Sequence, residues 1–148
     1  MPAPRPLLDF ALLGLLARAP ASGYDLRKVF QETLLGRYSD SPGSIYPALR
    51  RLQAGRLIRG QRAPGGRHRC ELEITDAGRT TLHRWLEAPI DGFLAASDRG
   101  AFELKLAFFS DHRPLRQLRT FLLQYSGALD DLRAETVAAR AAARDHLT

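Results

Sequence analysis

A single cysteine, Cys70, in 148 residues excludes an internal disulfide framework and a cysteine-rich zinc site, and it suits a reducing compartment. Long apolar runs are missing too. The longest, Leu7 to Ala17, covers 11 residues and is interrupted by Asp9, short of the roughly 18 that a membrane span needs. No basic stretch followed by an apolar run and a small-residue cleavage site opens the chain, so neither secretion nor a membrane is expected and the cytoplasm is the expected location. Histidine is scarce. His68, His83, His112 and His146 show no metal-ligand spacing, no glycine-rich phosphate loop follows a strand, and Cys70 has a histidine near it in sequence but no third member of a triad. No metal, cofactor or enzymatic activity is expected.

Apolar residues make up 45% of the chain and charged residues 26%, which is enough for one packed domain, with or without a dimerisation appendage. Basic side chains number 22 against 16 acidic ones, a formal net charge of +6. The excess is regional. Residues 1–87 hold 14 basic and 8 acidic side chains, whereas residues 88–148 hold 8 of each. Between Ser41 and Cys70 there is no acid at all, yet Arg50, Arg51, Arg56, Arg59, Arg62, Arg67 and Arg69 lie there. Such a stretch favours a surface that faces phosphates.

Leu7 to Leu16 is apolar on nearly every side, as expected of a helix in the middle of a small core. Ala19-Pro20-Ala21 breaks it. Ser22 then caps a second helix, with Asp25 reaching back to the Ser22 amide; Leu26, Val29, Phe30 and Leu34 form its stripe, and Gly36 ends it after about Leu35. A third helix carries Ile45, Ala48, Leu49 and Leu52 inward. Pro47 is tolerated only in a first turn, so the helix starts near Ser44 as its cap, or at Ser41-Pro42, and Gly55 closes it as a C-cap. The period then changes to that of strands. Leu57-Ile58 opens a hairpin that turns at Ala63-Pro64-Gly65-Gly66 and returns with Cys70, Leu72 and Ile74 alternating against Glu71 and Glu73. Thr75-Asp76 starts a fourth helix with Leu82, Trp85 and Leu86 on its stripe. Further on, Asp98 caps a helix to about Phe109, with Phe102, Leu106 and Phe109 on one stripe and Leu104 and Phe108 beside it. Finally Leu115, Leu118, Leu122, Tyr125, Leu129 and Leu132 recur at spacings of three and four, a heptad-like seam on a helix of about 30 residues and about 45 Å. A domain this small cannot bury such a helix alone, so a second copy of the chain is its expected partner.

The predicted fold is therefore mainly α with a small β-hairpin: a winged helix-turn-helix over residues 1–87, followed by C-terminal dimerisation helices over residues 88–148. Two functions compete. In one, the third helix enters the major groove of double-stranded DNA, a palindromic operator if the chain is a homodimer, while the wing meets the flanking backbone. Ser44 and Tyr46 then contact phosphates, Arg50 reads guanine or binds phosphate, and Arg67, His68 and Arg69 approach from the wing. Tyr46 also suits the core with a satisfied hydroxyl, and Arg51 suits either DNA or an intramolecular salt bridge. In the other, the winged fold is a protein-interaction adaptor and its charge is incidental; salt-sensitive binding to a palindromic duplex separates the two.

Four blocks carry a family resemblance: Ala11-Leu12-Leu13-Gly14-Leu15-Leu16, Ser22-Gly23-Tyr24-Asp25-Leu26, Ser44-Ile45-Tyr46-Pro47-Ala48-Leu49-Arg50-Arg51-Leu52 with Gly55, and Thr75-Asp76-Ala77-Gly78. In this order and spacing the chain resembles the PadR family of bacterial transcriptional regulators. A looser block, Phe102-Glu103-Leu104-Lys105-Leu106-Ala107-Phe108-Phe109, is similar to the start of the dimerisation segment of longer members. The resemblance implies a DNA-binding homodimer, commonly a repressor, with contacts from Ser44, Tyr46, Pro47 and Arg50 and backbone contacts from Arg67 and Arg69. Members often carry a basic-aromatic-aromatic-basic run late in the wing, where this chain has Cys70-Glu71-Leu72-Glu73. Wing contacts are accordingly restricted to the turn and its basic shoulder, and the two carboxylates are expected to pair with Arg59 or Arg62. The family also implies a small aromatic or drug-like effector near a dimer interface, for which Trp85, Phe93, Phe102, Phe108 and Phe109 are the candidates, each of which also suits the core.

Overall fold

The most apolar segment sits at the centre of the packing. In the computed structural model, which describes residues 5–39, 41–62, 70–89, 99–112 and 115–147, helix α1 (Leu7–Arg18) buries Leu8, Phe10, Leu12, Leu13 and Leu16, along with Asp9. Around it lie α2 (Gly23–Glu32), α3 (Ile45–Ala54), the strands β1 (Ile58–Arg62) and β2 (Cys70–Ile74), and α4 (Asp76–Glu87). Together they form the unit Met1–Glu87, and a second unit, Ala88–Thr148, contains α5 (Arg99–His112) and α6 (Leu115–Leu147). This is a winged helix-turn-helix arrangement followed by C-terminal helices, mainly α with one hairpin.

The strands pair antiparallel, Ile58 opposite Ile74 and Arg62 opposite Cys70. Alternation buries Leu72 and Ile74, whereas Cys70, the first residue of the strand, is exposed. Ala21 adds a short bridge, exchanging both backbone bonds with Leu72 at 3.1 and 2.8 Å, so the break after α1 is stitched to the wing.

Several helix ends differ from the sequence expectation. Helix α2 stops at Glu32, where Thr33 is extended; its Oγ1 donates to the Val29 carbonyl at 2.7 Å and accepts from the Leu35 amide at 3.2 Å. A local hydroxyl thus competes with the ladder, and Leu34–Tyr38 continue as a 3-10 turn rather than as helix. At the start of α2 the Ser22 hydroxyl accepts from the Asp25 amide at 3.1 Å, as expected of a cap, and donates to the Asp25 carboxylate at 2.6 Å. Gly55 is the C-cap of α3, as expected, but it is not the left-handed residue of that ending. Arg56 is, with φ 57°; its amide donates to Gln53 and that of Leu57 to Leu52, a Schellman ending set one residue later than the glycine.

Glycine 78 makes the join between wing and α4. A methyl group built there would overlap the Leu57 carbonyl oxygen and lie 2.7 Å from Ile74 Cγ1, so only glycine lets the first turn of α4 sit on the strand. Thr75 completes the join. Its amide donates to Leu57, its Oγ1 accepts from the Gly78 amide at 3.1 Å, and it lies 2.8 Å from the Arg56 carbonyl to which it donates.

In the second unit, α5 buries Leu104, Lys105, Phe108 and Phe109, while Leu106 is exposed, correcting its place on the stripe. Lys105 escapes an unpaired burial by donating to the Ala88 carbonyl at 2.9 Å. Helix α6 has 33 residues, about 50 Å at 1.5 Å per residue. Its seam divides into two columns. Leu118, Tyr125 and Leu132 are half-buried, whereas Leu115, Leu122 and Leu129 are exposed. Phe121 and Tyr125 face α5, with the Phe102 ring 3.7 Å from that of Tyr125 and nearly parallel to it.

Candidate nucleic-acid interface

Helix α3 buries Ile45, Ala48, Leu49 and Leu52, which at about 100° per residue form one face. Pro47, Arg50 and Ala54 fall on the opposite strip and are exposed. Tyr46 and Arg51 occupy the two flanks, and each is anchored.

On the Tyr46 flank, α2 comes close because Gly23 lacks a side chain: a methyl there would lie 3.0 Å from Tyr46 Cε1 and 3.5 Å from Leu49 Cδ1. The ring is held against the second helix while the residue remains 41% exposed, so Tyr46 serves packing and surface at once. On the Arg51 flank, Nε donates to Asp9 Oδ2 at 3.2 Å and Nη2 donates to Oδ1, a two-pronged pair. Arg5 Nη1 adds a third bond to Oδ2 at 3.2 Å. Asp9 is wholly buried, so its charge must be met by such donors. Donation to the Asp9 carboxylate raises the Arg51 pKa above its ordinary value, and the guanidinium stays cationic at every working pH.

Ser44 stands at the start of α3 without capping it. Its backbone is already helical, at φ −78° and ψ −19°, and Oγ turns back to the Ser41 carbonyl at 2.8 Å, with Ser39 Oγ 2.5 Å away. The helical path in fact begins one turn earlier in the 3-10 segment Pro42–Ser44, behind an extended Ser41. Ser44 as a side-chain cap is therefore corrected, and Ser41-Pro42 marks the start.

Arg50 and Arg56 are exposed and have no ion pair with any described residue, whereas Arg59 is paired with Glu73 across the hairpin. One expected cross-strand pair is thus present. Arg67 and Arg69, with the turn Ala63–Gly66, lie outside the described residues, as does Phe93. Among the other aromatic candidates, Trp85 stacks on Phe10 at 4.4 Å within the first unit. Phe102 stacks on Tyr125 and Phe121 in the second unit, where Phe108 and Phe109 are buried. Asp9 is the residue that sequence reading passed over. Its signal was a lone acid inside an apolar helix, which has to meet a partner from elsewhere in the fold.

A three-helix core, an exposed strip bearing Arg50 on the third helix and a two-stranded wing define a winged helix-turn-helix protein. Residues 12–84 match the model of the Transcriptional regulator PadR-like family. Negative transcriptional regulator PadR of Bacillus subtilis (strain 168) is 35% identical over 85 residues, covering 54% of this chain and 45% of that protein. Transcriptional regulator YqjI of Escherichia coli (strain K12) is 35% identical over 80 residues, covering 54% of this chain and 36% of that protein. The crystal structure of the PadR-like transcriptional regulator BC1756 from Bacillus cereus has the same fold, with a TM-score of 0.52 at 17% identity over 95% of this chain and 99% of that one. The chain belongs to the PadR-like family of transcriptional regulators. It spans less than half the length of the two curated relatives it matches. No helix among the described residues is long and apolar enough to cross a membrane.

Proposed function

We propose that the chain is a sequence-specific DNA-binding transcriptional repressor that acts as a homodimer on a palindromic operator. The observation that carries this reading is the outward strip of α3, with Pro47 and Arg50 exposed between two anchored flanks. A helix held from both sides and bare between them is suited to entering a groove. Similarity to a negative transcriptional regulator supports the same reading. In it, Ser44 and Tyr46 approach phosphates, Pro47 and Arg50 approach base edges, and Arg67 and Arg69 bring the wing to the backbone. Repression needs no more than a dimer obstructing its operator. The 88–148 unit supplies dimerisation through the exposed column Leu115, Leu122 and Leu129, for which a second α6 is a matching surface. A small aromatic modulator completes the reading and is assigned to the Phe102 end of that unit, since Trp85 is engaged with Phe10.

Selection of bound duplexes from a random pool tests the reading, followed by binding measured against salt. The expected result is a two-fold symmetric sequence bound at least about a thousandfold tighter than scrambled DNA, with affinity falling steeply as salt rises. No enrichment, or equal binding to all duplexes, overturns it.

A further inference from the structure

The buried carboxylate of Asp9 points to a residue that governs DNA specificity without reaching DNA. It accepts from Arg51 through Nε and Nη2 and from Arg5 through Nη1, and it is 0% exposed. Arg51 itself is different. Its side chain is 46% exposed although its guanidinium is held, and it stands one residue from Arg50 on the helix proposed to enter the groove. A cleft of about 560 Å³ opens on that flank, lined by Leu8, Arg37, Tyr38, Ser44, Pro47 and Arg51, so an Arg51 released from Asp9 has room to take another rotamer.

A guanidinium at the edge of a groove-facing helix binds any phosphate within reach, whatever the sequence. Asp9 supplies an internal anion with the planar, two-pronged geometry that a phosphate would otherwise offer. We propose that Asp9 is a specificity-determining positioning residue: it withholds Arg51 from the DNA backbone and pins α3, so that the strip bearing Pro47 and Arg50 is presented at one angle. The proposal rests on the DNA-binding reading above. Specificity is a ratio of affinities: a freed cation adds affinity for every duplex alike, whereas a strip that is no longer pinned loses affinity for the operator alone, so the ratio falls.

The test uses the full chain, the duplex selected from the random pool, and a scrambled duplex of equal composition. Asp9→Asn keeps the shape and removes the charge. It is expected to steepen the salt slope on scrambled DNA by about 0.9, the value of one added phosphate contact, and to tighten that binding about fivefold at 0.15 M salt. The ratio between the two duplexes should fall about tenfold or more. Asp9→Glu keeps the charge and should leave the slope unchanged even if it lowers Tm. Arg51→Gln should also leave the slope on scrambled DNA unchanged while lowering the ratio, and Asp9→Asn combined with Arg51→Gln should restore the original slope. A folded Asp9→Asn protein with unaltered slope and ratio overturns the proposal. So does an Arg51→Gln slope shallower by about 0.9, since Arg51 would then be a phosphate contact in the unmodified protein. If Asp9→Asn fails to fold, the Asp9→Glu and Arg51→Gln measurements decide. An unmodified chain that binds no duplex overturns the DNA-binding reading itself, an outcome distinct from either of these.

Discussion

Replacing Gly78 with alanine sets two physical rules against each other at the join between wing and α4. Intrinsic propensity favours alanine in a helix by about 1 kcal/mol. Packing opposes it, because the added methyl group would overlap the Leu57 carbonyl oxygen, lie 3.0 Å from the Leu57 carbonyl carbon and press Ile74 Cγ1 at 2.7 Å. Two of those atoms are backbone and cannot rotate away. Overpacking of this kind costs about 1–3 kcal/mol or more, and moving α4 off the strand also endangers the Thr75 amide bond to Leu57, worth about 1 kcal/mol net. The packing cost exceeds the propensity gain, leaving a net loss of about 1–3 kcal/mol. For a unit of this size that is a fall in Tm of roughly 4–20 °C. Thermal unfolding followed by far-UV circular dichroism reads it directly. A Tm equal to or above that of the unmodified chain would refute the packing account and leave propensity as the controlling term.

Arg56→Gly is expected to stabilise by about 0.5–1 kcal/mol, since φ 57° strains any residue with a side chain, while Arg56→Ala should bring no such gain; denaturant midpoints distinguish them. Arginine at both Leu122 and Leu129 is expected to yield folded monomers in sedimentation at micromolar concentration, because these side chains are exposed within one chain and would be covered only in the proposed dimer. An unmodified chain that is itself monomeric there removes the dimer from the account.

The elements whose residues follow one periodicity were readable in sequence. The apolar run of α1, the Ile45–Leu52 stripe and the alternation of Leu72 and Ile74 each signal a burial that tertiary packing then confirms. Helix ends were less legible, because side-chain hydroxyls decide them locally. Thr33 stops α2 by bonding to its own turn, and Ser44 is claimed by Ser41 and Ser39 instead of capping α3. Gly55 is the C-cap of α3 that its composition announces, while the six-residue Schellman loop, counted from Leu52, puts the left-handed residue one further on, at Arg56. In the candidate interface, exposure of Pro47 and Arg50 follows directly from helix periodicity. The employment of Arg51 does not: its partner lies 42 residues earlier, and only the packing of α1 against α3 brings the two together. The same applies to the α6 seam, where one heptad pattern hides two columns, one half-buried and one exposed.

Whether α3 reads DNA through its outward strip is decided at Arg50. Arg50→Ala is compared with the unmodified chain on the selected operator and on duplexes altered one base pair at a time, with Leu49→Ala as the control for folding. Leu49 is 3% exposed, so its truncation is expected to cost about 2–5 kcal/mol of stability and to lose binding only through unfolding. Arg50→Ala should leave Tm unchanged, cost about 1–3 kcal/mol on the operator, and cost much less on the duplex altered at the base pair it reads. Equal losses on matched and altered duplexes, or no loss on either, contradict the account.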